Sequence, residues 1–286
     1  MKLKLLAAFF CFAAVAFATN VNGAVIRPGF NAAFLAANDD FSTGQIPLGF
    51  TANFFGTPFT QAYLNNNGNM TFAASLFTFT PFGLTSAIGN PIIAPFFGDV
   101  DTRGLGSDLL RYGVGVVGGR AAFGATWDGA GVGYFPSSVD LLNKFQVVLV
   151  DRSDVAPGDF DIEFNYDQIQ WETGSASGGI NGFGGSSARA GFSNGSGIAG
   201  TNFELAGSGV TLAFVDSGPA ATRLISNRFG SSIDRGAIDG QYVFQARNGS
   251  VNVVVPEPAS IAIWSFISVA CFSLTNRRRS AVSRCS

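Results

Sequence analysis

Two aspartates in an extended segment are the residues of this sequence best suited to hold a metal ion. Asp99 and Asp101 alternate along the chain, and Arg103 and Asp108 follow closely. Carboxylate oxygens are the hard ligands that Ca²⁺ takes in proteins. The usual Asp-x-Asp-x-Asp-Gly calcium loop is missing from the sequence. Two interpretations therefore stay open: the pair binds Ca²⁺, or the two aspartates cap a loop or pair with an arginine.

Two glutamates offer a different chemistry. A glycosidase needs two carboxyl groups on opposite sides of a cleft, and Glu163 and Glu172 are the candidates by residue type. Glu163, however, falls on the polar face of a regular strand pattern, where we expect a solvated side chain. The chain contains no histidine, which excludes Ser-His-Asp triads and nearly all zinc sites. We therefore predict no enzyme, no catalytic residues and no cofactor, with a surface carbohydrate-active enzyme as the alternative.

The strand that carries Glu163 is the clearest element in the sequence. Over residues 159–166 aromatic and aliphatic side chains alternate with polar ones, as in a half-buried strand. Residues 145–150 form an apolar strand, and the loop 151–158 joins the two as a hairpin. Further strands are expected at residues 109–116, 121–127, 210–214 and 241–246. A second acidic group, Asp151, Asp154, Asp159 and Asp161, is interpreted as the solvated rim of the hairpin.

Turn signals divide these strands. The run NNNGN at 65–69 separates two short strands, and its Asn-Gly pair suits a type I′ hairpin turn. Pro95 interrupts the apolar run 92–97, which places that run at a sheet edge or a strand end. Residues 174–197 are rich in Gly and Ser and are expected to be loop. With 30 Phe and 37 Gly, the chain is predicted to be an all-β, β-sandwich-like domain.

A G-x-G-x-x-G pattern occurs at Gly113, Gly115 and Gly118. A dinucleotide site would need a helix directly after it, whose N-terminus meets the pyrophosphate. The residues that follow predict a turn and a strand, so we interpret the glycines as part of a hairpin.

The two ends of the chain predict export. Residues 1–24 have a basic start, an apolar core and small residues at Ala18 and Ala24, which is typical of a signal peptide cleaved after one of them. Residues 259–275 are uncharged and apolar. As a helix they would span about 25 Å, the short end of what crosses a bilayer. Arginines at 277–279 are expected to hold residues 280–286 in the cytoplasm. A domain of residues 25–255 would then face outward.

The C-terminal end resembles the PEP-CTERM sorting signal of exported bacterial proteins. The matching residues are Pro256, Glu257 and Pro258, the apolar segment after them, and Arg277, Arg278 and Arg279. The resemblance implies an exosortase-type membrane protease as partner and a host that makes exopolysaccharide. The protein would be anchored in the membrane by its C-terminus before processing.

Charge and cysteine content agree with an exported domain. Six of the basic residues fall in the two ends, so the domain between them is acidic, which argues against nucleic acid as a partner. The cysteines are Cys11, Cys271 and Cys285, and none lies in residues 25–255. The domain must therefore be held by its own core rather than by disulfides.

The middle of the chain resembles the nidogen-like (NIDO) extracellular domain. The most specific matches are LNNNGNMTF at 64–72 and IIAPFFGDVDT at 92–102, and the resemblance covers about residues 39–246. It implies a β-rich extracellular domain found in matrix and adhesion proteins, with no catalytic residues to carry over. We therefore predict a structural or adhesive protein of the cell surface or matrix, associated with exopolysaccharide or matrix proteins. A calcium-dependent adhesin is a further alternative.

Overall fold

The computed structural model describes residues 26–136, 140–229 and 238–253. The chain divides into two units, Met1–Val251 and Asn252–Ser286. The fold below belongs to the first unit; in the second, Asn252 and Val253 are described. The predicted signal peptide and the predicted C-terminal sorting segment lie outside the described residues.

Two antiparallel sheets make up the described fold, and it contains no α-helix within those residues. The larger, eight-stranded sheet runs β1-β7-β8-β9-β10-β13-β14, with β6 also paired to β8. Its strands are β1 (Ala33–Phe34), β6 (Val100–Asp101), β7 (Leu110–Val117), β8 (Arg120–Tyr134), β9 (Asn143–Asp151), β10 (Phe160–Gln168), β13 (Gln241–Arg247) and β14 (Ser250–Asn252).

The smaller, six-stranded sheet runs β12-β11-β5-β4-β3-β2. Its strands are β2 (Ile46–Phe54), β3 (Thr57–Asn65), β4 (Asn69–Thr71), β5 (Ile92–Phe97), β11 (Arg189–Ser193) and β12 (Asn202–Glu204). Two short 3₁₀ helices, Ser175–Ser177 and Leu224–Ser226, lie in the connections. The all-β, sandwich-like prediction is confirmed.

Aromatic side chains fill the space between the sheets. Phe54 of β2 contacts Phe160 of β10, and Phe192 of β11 contacts Phe244 of β13, with ring centroids 6.3 and 5.2 Å apart. Tyr166 donates its hydroxyl to the Pro95 carbonyl across the same core at 2.6 Å. The alternation read from residues 159–166 therefore gives the correct inward face.

The N-terminal segment covers the outer face of the larger sheet. Phe30 packs with Val117, Ala122, Val148 and Val150. It lies in a notch left by two glycines of the β7–β8 hairpin, since a Cβ on Gly124 would approach its ring to 2.3 Å and one on Gly115 to 2.7 Å. The hairpin interpretation of the glycine pattern is confirmed, and the glycines admit this aromatic ring.

Three local predictions are wrong. The run containing Pro95 is β5, an interior strand between β4 and β11. Pro95 is tolerated because β4 pairs only with Ile92 and Ile93, and the β11 pairing shifts register beside it. Residues 174–197 contain β11. Residues 210–214 form consecutive turns rather than a strand, with Leu212 at φ +62°.

The Asn-Gly hairpin exists, but its turn is not type I′. Asn65 pairs with Asn69, which leaves a three-residue loop in which Gly68 has φ +74° and Asn67 does not have a positive φ. Two-residue turns with positive φ at both positions occur at other hairpins instead: Phe55 and Gly56 between β2 and β3, Gly118 and Gly119 between β7 and β8, and Asn248 and Gly249 between β13 and β14.

Candidate functional site

Three carboxylates from distant parts of the chain meet in one pocket, which we call the acidic pocket. Asp39 and Asp40 lie on the segment between β1 and β2, and Asp99 lies between β5 and β6. Each offers an oxygen within 4.8 Å of the oxygens of the other two, and among the described residues no other such group of potential metal ligands occurs. Asp99 is only 2% exposed.

The loop between β3 and β4 holds both sides of this pocket. The Asn66 side-chain amide donates to the backbone carbonyls of Asp39 and Val100, at 2.6 and 2.8 Å. Asn67 donates to Oδ1 of Asp40 at 2.9 Å, and its own Oδ1 accepts the Val100 amide at 2.9 Å. Both asparagines are therefore structural clamps that fix the Asp40 segment against the Asp99 segment.

The loop between β3 and β4 is itself fixed by contacts with core residues. Trp127 of β8 donates its indole N–H to the Asn66 carbonyl at 2.8 Å and stacks on Phe145 of β9. At Gly68, a Cβ would lie 1.7 Å from the Phe96 carbonyl oxygen, so glycine is required there. The pocket is thus positioned by contacts from both sheets.

Asp101, which the sequence grouped with Asp99, is hydrogen-bonded by Arg103. Oδ1 of Asp101 accepts hydrogen bonds from the Arg103 backbone N–H and Nε, both at 2.9 Å, and Oδ2 accepts Nη2 at 2.7 Å. Arg103 also reaches Oδ2 of Asp39 at 3.0 Å. The arginine-pairing interpretation describes Asp101, whereas Asp99 faces Asp39 and Asp40.

Burial and mutual repulsion raise two pKa values in the acidic pocket. Burial raises the pKa of Asp99 to about 7, and the charges of Asp39, Asp40 and Asp101 add to the rise. Burial also raises the pKa of Asp39 to about 6, with Asp40 and Asp101 adding to it and Arg103 opposing it. Without a further cation, the folded state tolerates these negative charges poorly.

Several oxygens around the pocket have no hydrogen-bond partner. They are Oδ1 of Asp39, Oδ2 of Asp99 and Oδ1 of Asn66, all buried. The backbone of Gly174 closes over Asp99, because a Cβ there would lie 2.2 Å from its Oδ2. Buried acceptors without a protein donor are costly in a folded protein.

Sequence reasoning missed Asp39 and Asp40. The signal available was their adjacency, together with an Asn-rich loop whose side chains can bridge segments. Nothing in the spacing shows that residues 39–40 return to residue 99, because that contact is formed by tertiary structure through Asn66 and Asn67.

The two glutamates considered for glycosidase chemistry are both occupied by structural contacts. Glu163 is 3% exposed and accepts Nε and Nη2 of Arg27 at 2.6 and 2.8 Å, so the prediction of a solvated side chain is wrong. The N-terminal segment covers it. Glu172 accepts the Leu212 amide at 2.7 Å and the Ser187 hydroxyl at 3.2 Å, and burial raises its pKa.

The second acidic group is only partly solvated. Asp154 is exposed, but Asp159 and Asp161 are buried. Asp161 pairs with Arg152 at 3.0 Å and with Arg247. The predicted solvated rim is therefore wrong for these two residues, because arginines from neighbouring segments neutralise them.

The features at the two ends of the chain are not described by the structure. Pro256, Glu257, Pro258, Arg277, Arg278 and Arg279 lie outside the described residues. Within the described part of the chain, no helix has the length and apolar character needed to span a membrane.

The class of protein follows from a family match that covers most of the described domain. The nidogen-like domain family matches residues 60–248, and the chain belongs to that family.

Curated relatives include alpha-tectorin of Mus musculus, 34% identical over 178 residues, and of Gallus gallus, 36% identical over the same length. The human alpha-tectorin is 33% identical over 178 residues. The match covers 55% of this chain but only 8% of the length of each relative. A comparison with solved structures gave no significant match.

Proposed function

We propose that this chain is an exported protein of the cell surface or extracellular matrix, with a structural or adhesive role. The observation that carries this proposal is membership of the nidogen-like family, with similarity to the alpha-tectorins over much of the domain. Since the chain corresponds to a small part of those relatives, their wider assembly is not transferred to it.

The described contacts support a non-catalytic role. The best carboxylate candidates for hydrolysis hold the fold together, Glu163 through Arg27 and Glu172 through Leu212 and Ser187. A general acid or base must reach substrate. Rigid, aromatic-packed sheets with loops at their ends suit a module that presents a surface to other molecules.

We propose that the two ends of the chain direct the protein to that location. Residue types at 1–24 suit a signal peptide, and those at 256–279 suit a sorting segment recognised by an exosortase-type membrane protease. Exopolysaccharide or matrix proteins are the proposed partners of the domain. The C-terminal apolar segment would anchor the precursor until it is processed.

Cell fractionation of matched chains tests this proposal. The full chain and a chain ending at Val255 are expressed in a bacterium that makes exopolysaccharide and has an exosortase. We expect the full chain at the surface or in the matrix, and the shortened chain free in the medium or periplasm. Equal surface retention of both chains would contradict the anchoring role, and a full chain that stays in the cytosol would contradict the whole proposal.

The adhesive role needs a separate readout. Cells that produce the full chain are compared with cells that lack it, in exopolysaccharide retention and in cell-to-cell adhesion. We expect a loss of one or both in its absence. Unchanged retention and adhesion would contradict an adhesive or structural contribution.

A further inference from the structure

We propose that the acidic pocket binds a calcium ion, with Asp39, Asp40 and Asp99 as its carboxylate ligands. This inference goes beyond the proposed function, because binding is a property of the folded domain wherever the protein is sorted. The three side chains come from two segments about 60 residues apart, and each offers one oxygen to a common volume less than 5 Å across.

The first argument is the state of Asp99. It is almost fully buried, its Oδ2 has no hydrogen-bond partner, and its charged neighbours are three other aspartates. A buried carboxylate is normally paired with a cation or several N–H donors. Its oxygen near Asp39 and Asp40 can gain such a partner from an ion held between the three groups.

The second argument is the local charge. Asp39, Asp40, Asp99 and Asp101 carry four negative charges when ionised, and Arg103 is the cation placed among them. Arg103 makes its hydrogen bonds to Asp101 and to one oxygen of Asp39. This leaves Oδ1 of Asp39 without a partner, as it leaves Oδ2 of Asp99. A divalent cation would compensate the remaining charge, which a single arginine does not.

The third argument is the ligand chemistry. All three groups are hard oxygen donors, and the buried Oδ1 of Asn66 is a neutral oxygen that also has no partner. Its amide is fixed by the Asp39 and Val100 carbonyls, so its oxygen cannot exchange places with the nitrogen. Calcium accepts six to eight such oxygens in irregular geometry, whereas magnesium prefers to keep several waters. A group of three carboxylates that already lie together therefore suits calcium better than magnesium.

The site is also preorganised. Asn66 and Asn67 hold the two ligand-bearing segments together through backbone and side-chain hydrogen bonds that do not involve the proposed ion. Binding then costs little rearrangement and ties residues 39–40 to residue 99. Its main effect is to stabilise the fold against unfolding.

Calcium titration of the purified full chain in mild detergent tests the proposal. The protein is freed of metal with chelator, and heat unfolding is followed by the fluorescence of buried Trp127 and Trp171. We expect a dissociation constant on the order of 0.1–1 mM by calorimetry, so the unfolding temperature should rise by about 2–9 °C at 5 mM Ca²⁺. We expect Mg²⁺ at the same concentration to raise it less.

Matched variants separate binding from folding. Asp99→Asn removes a buried charge, so it is expected to unfold at an equal or higher temperature without Ca²⁺ while losing the calcium response. Asp40→Asn, at a less buried position, is expected to weaken binding at least tenfold. Asp154→Asn, an exposed aspartate far along the chain, is the control and should keep the full response.

Two results would overturn the proposal. One is an unfolding temperature of the wild-type chain that is unchanged by Ca²⁺ up to 5 mM. The other is a calcium response that persists undiminished in both Asp99→Asn and Asp40→Asn. Neither depends on where the cell sends the protein, so a failure of the proposed location leaves this test intact.

Discussion

The buried ion pair between Arg27 and Glu163 makes a specific prediction about the N-terminal segment. Their side chains are 9% and 4% exposed, and the carboxylate also accepts Asn165 and Gln241 amides at 2.7 and 3.0 Å. Arg27→Met removes the cation and leaves a buried carboxylate with neutral donors. Removing one partner of a buried pair costs about 3–5 kcal/mol, so we expect a loss of that size in the free energy of unfolding.

Urea unfolding of four chains measures it: wild type, Arg27→Met, Glu163→Gln and the double variant. The double variant lacks the uncompensated charge, so its loss should be smaller than the sum of the single losses by about 2 kcal/mol or more. Arg228→Met is the control. Arg228 pairs with Asp239 where both side chains are about half exposed, and this change should cost less than about 1 kcal/mol.

Additive effects of the two substitutions, within about 0.5 kcal/mol, would refute the reasoning. Such a result would mean that the N-terminal segment is not docked on the larger sheet. Phe30 would then also be expected to lie outside the notch formed by Gly115 and Gly124.

Three further predictions concern the loop, pH and catalysis. Gly68→Ala should cost on the order of 3 kcal/mol or more, because its Cβ would collide with the Phe96 carbonyl. Gly56→Ala, at φ +86° with open space around it, should cost only about 1 kcal/mol in the same denaturation assay, and equal losses would contradict the clash. Burial raises the pKa of Asp216 to about 6, so the folded state holds that proton more tightly than the unfolded chain. The resulting stability is present below about pH 4 and is lost as pH rises through about 6, by at most about 3 kcal/mol. Asp216→Asn should remove this dependence, and identical stability–pH curves for both chains would contradict it. Glu163→Gln combined with Glu172→Gln should leave polysaccharide turnover by producing cells unchanged, and loss of turnover in a folded double variant would favour the enzyme alternative.

Local pattern predicted the five long strands of the larger sheet, β7, β8, β9, β10 and β13. Residues 145–150 lie in β9 and residues 160–166 lie in β10, with the hairpin between them, because alternation and apolar runs report directly on strand faces. The strands near 109–116, 121–127 and 241–246 are confirmed by β7, β8 and β13 for the same reason. These features depend on neighbours in sequence and on one buried face.

The errors share a different cause. Glu163 and Asp161 look solvated in their strand, yet residues far away in the chain cover or neutralise them. β11 has a Gly-rich surrounding and becomes a strand because β5 and β12 pair with it on both sides. Its Gly191 is needed where a Cβ would lie 2.0 Å from the Phe203 carbonyl oxygen.

The sequence predicted one of the three carboxylates of the acidic pocket, Asp99, and missed Asp39 and Asp40. The Asp-Val-Asp sequence at 99–101 indicates Asp99 as a candidate ligand. It indicates Asp101 equally, although Asp101 is hydrogen-bonded by Arg103, two residues later. The other two ligands come from the chain before β2. Their approach depends on Asn66 and Asn67 reaching across the loop, which no local spacing reveals.

Protease treatment of intact cells tests the central claim most directly. Cells producing the full chain are exposed to a protease that does not enter them, and the domain is followed with an antibody against it. We expect the protease to degrade the domain or release it from the cells, while a cytoplasmic marker protein survives. A domain that stays protected until the cells are lysed would contradict an extracellular role.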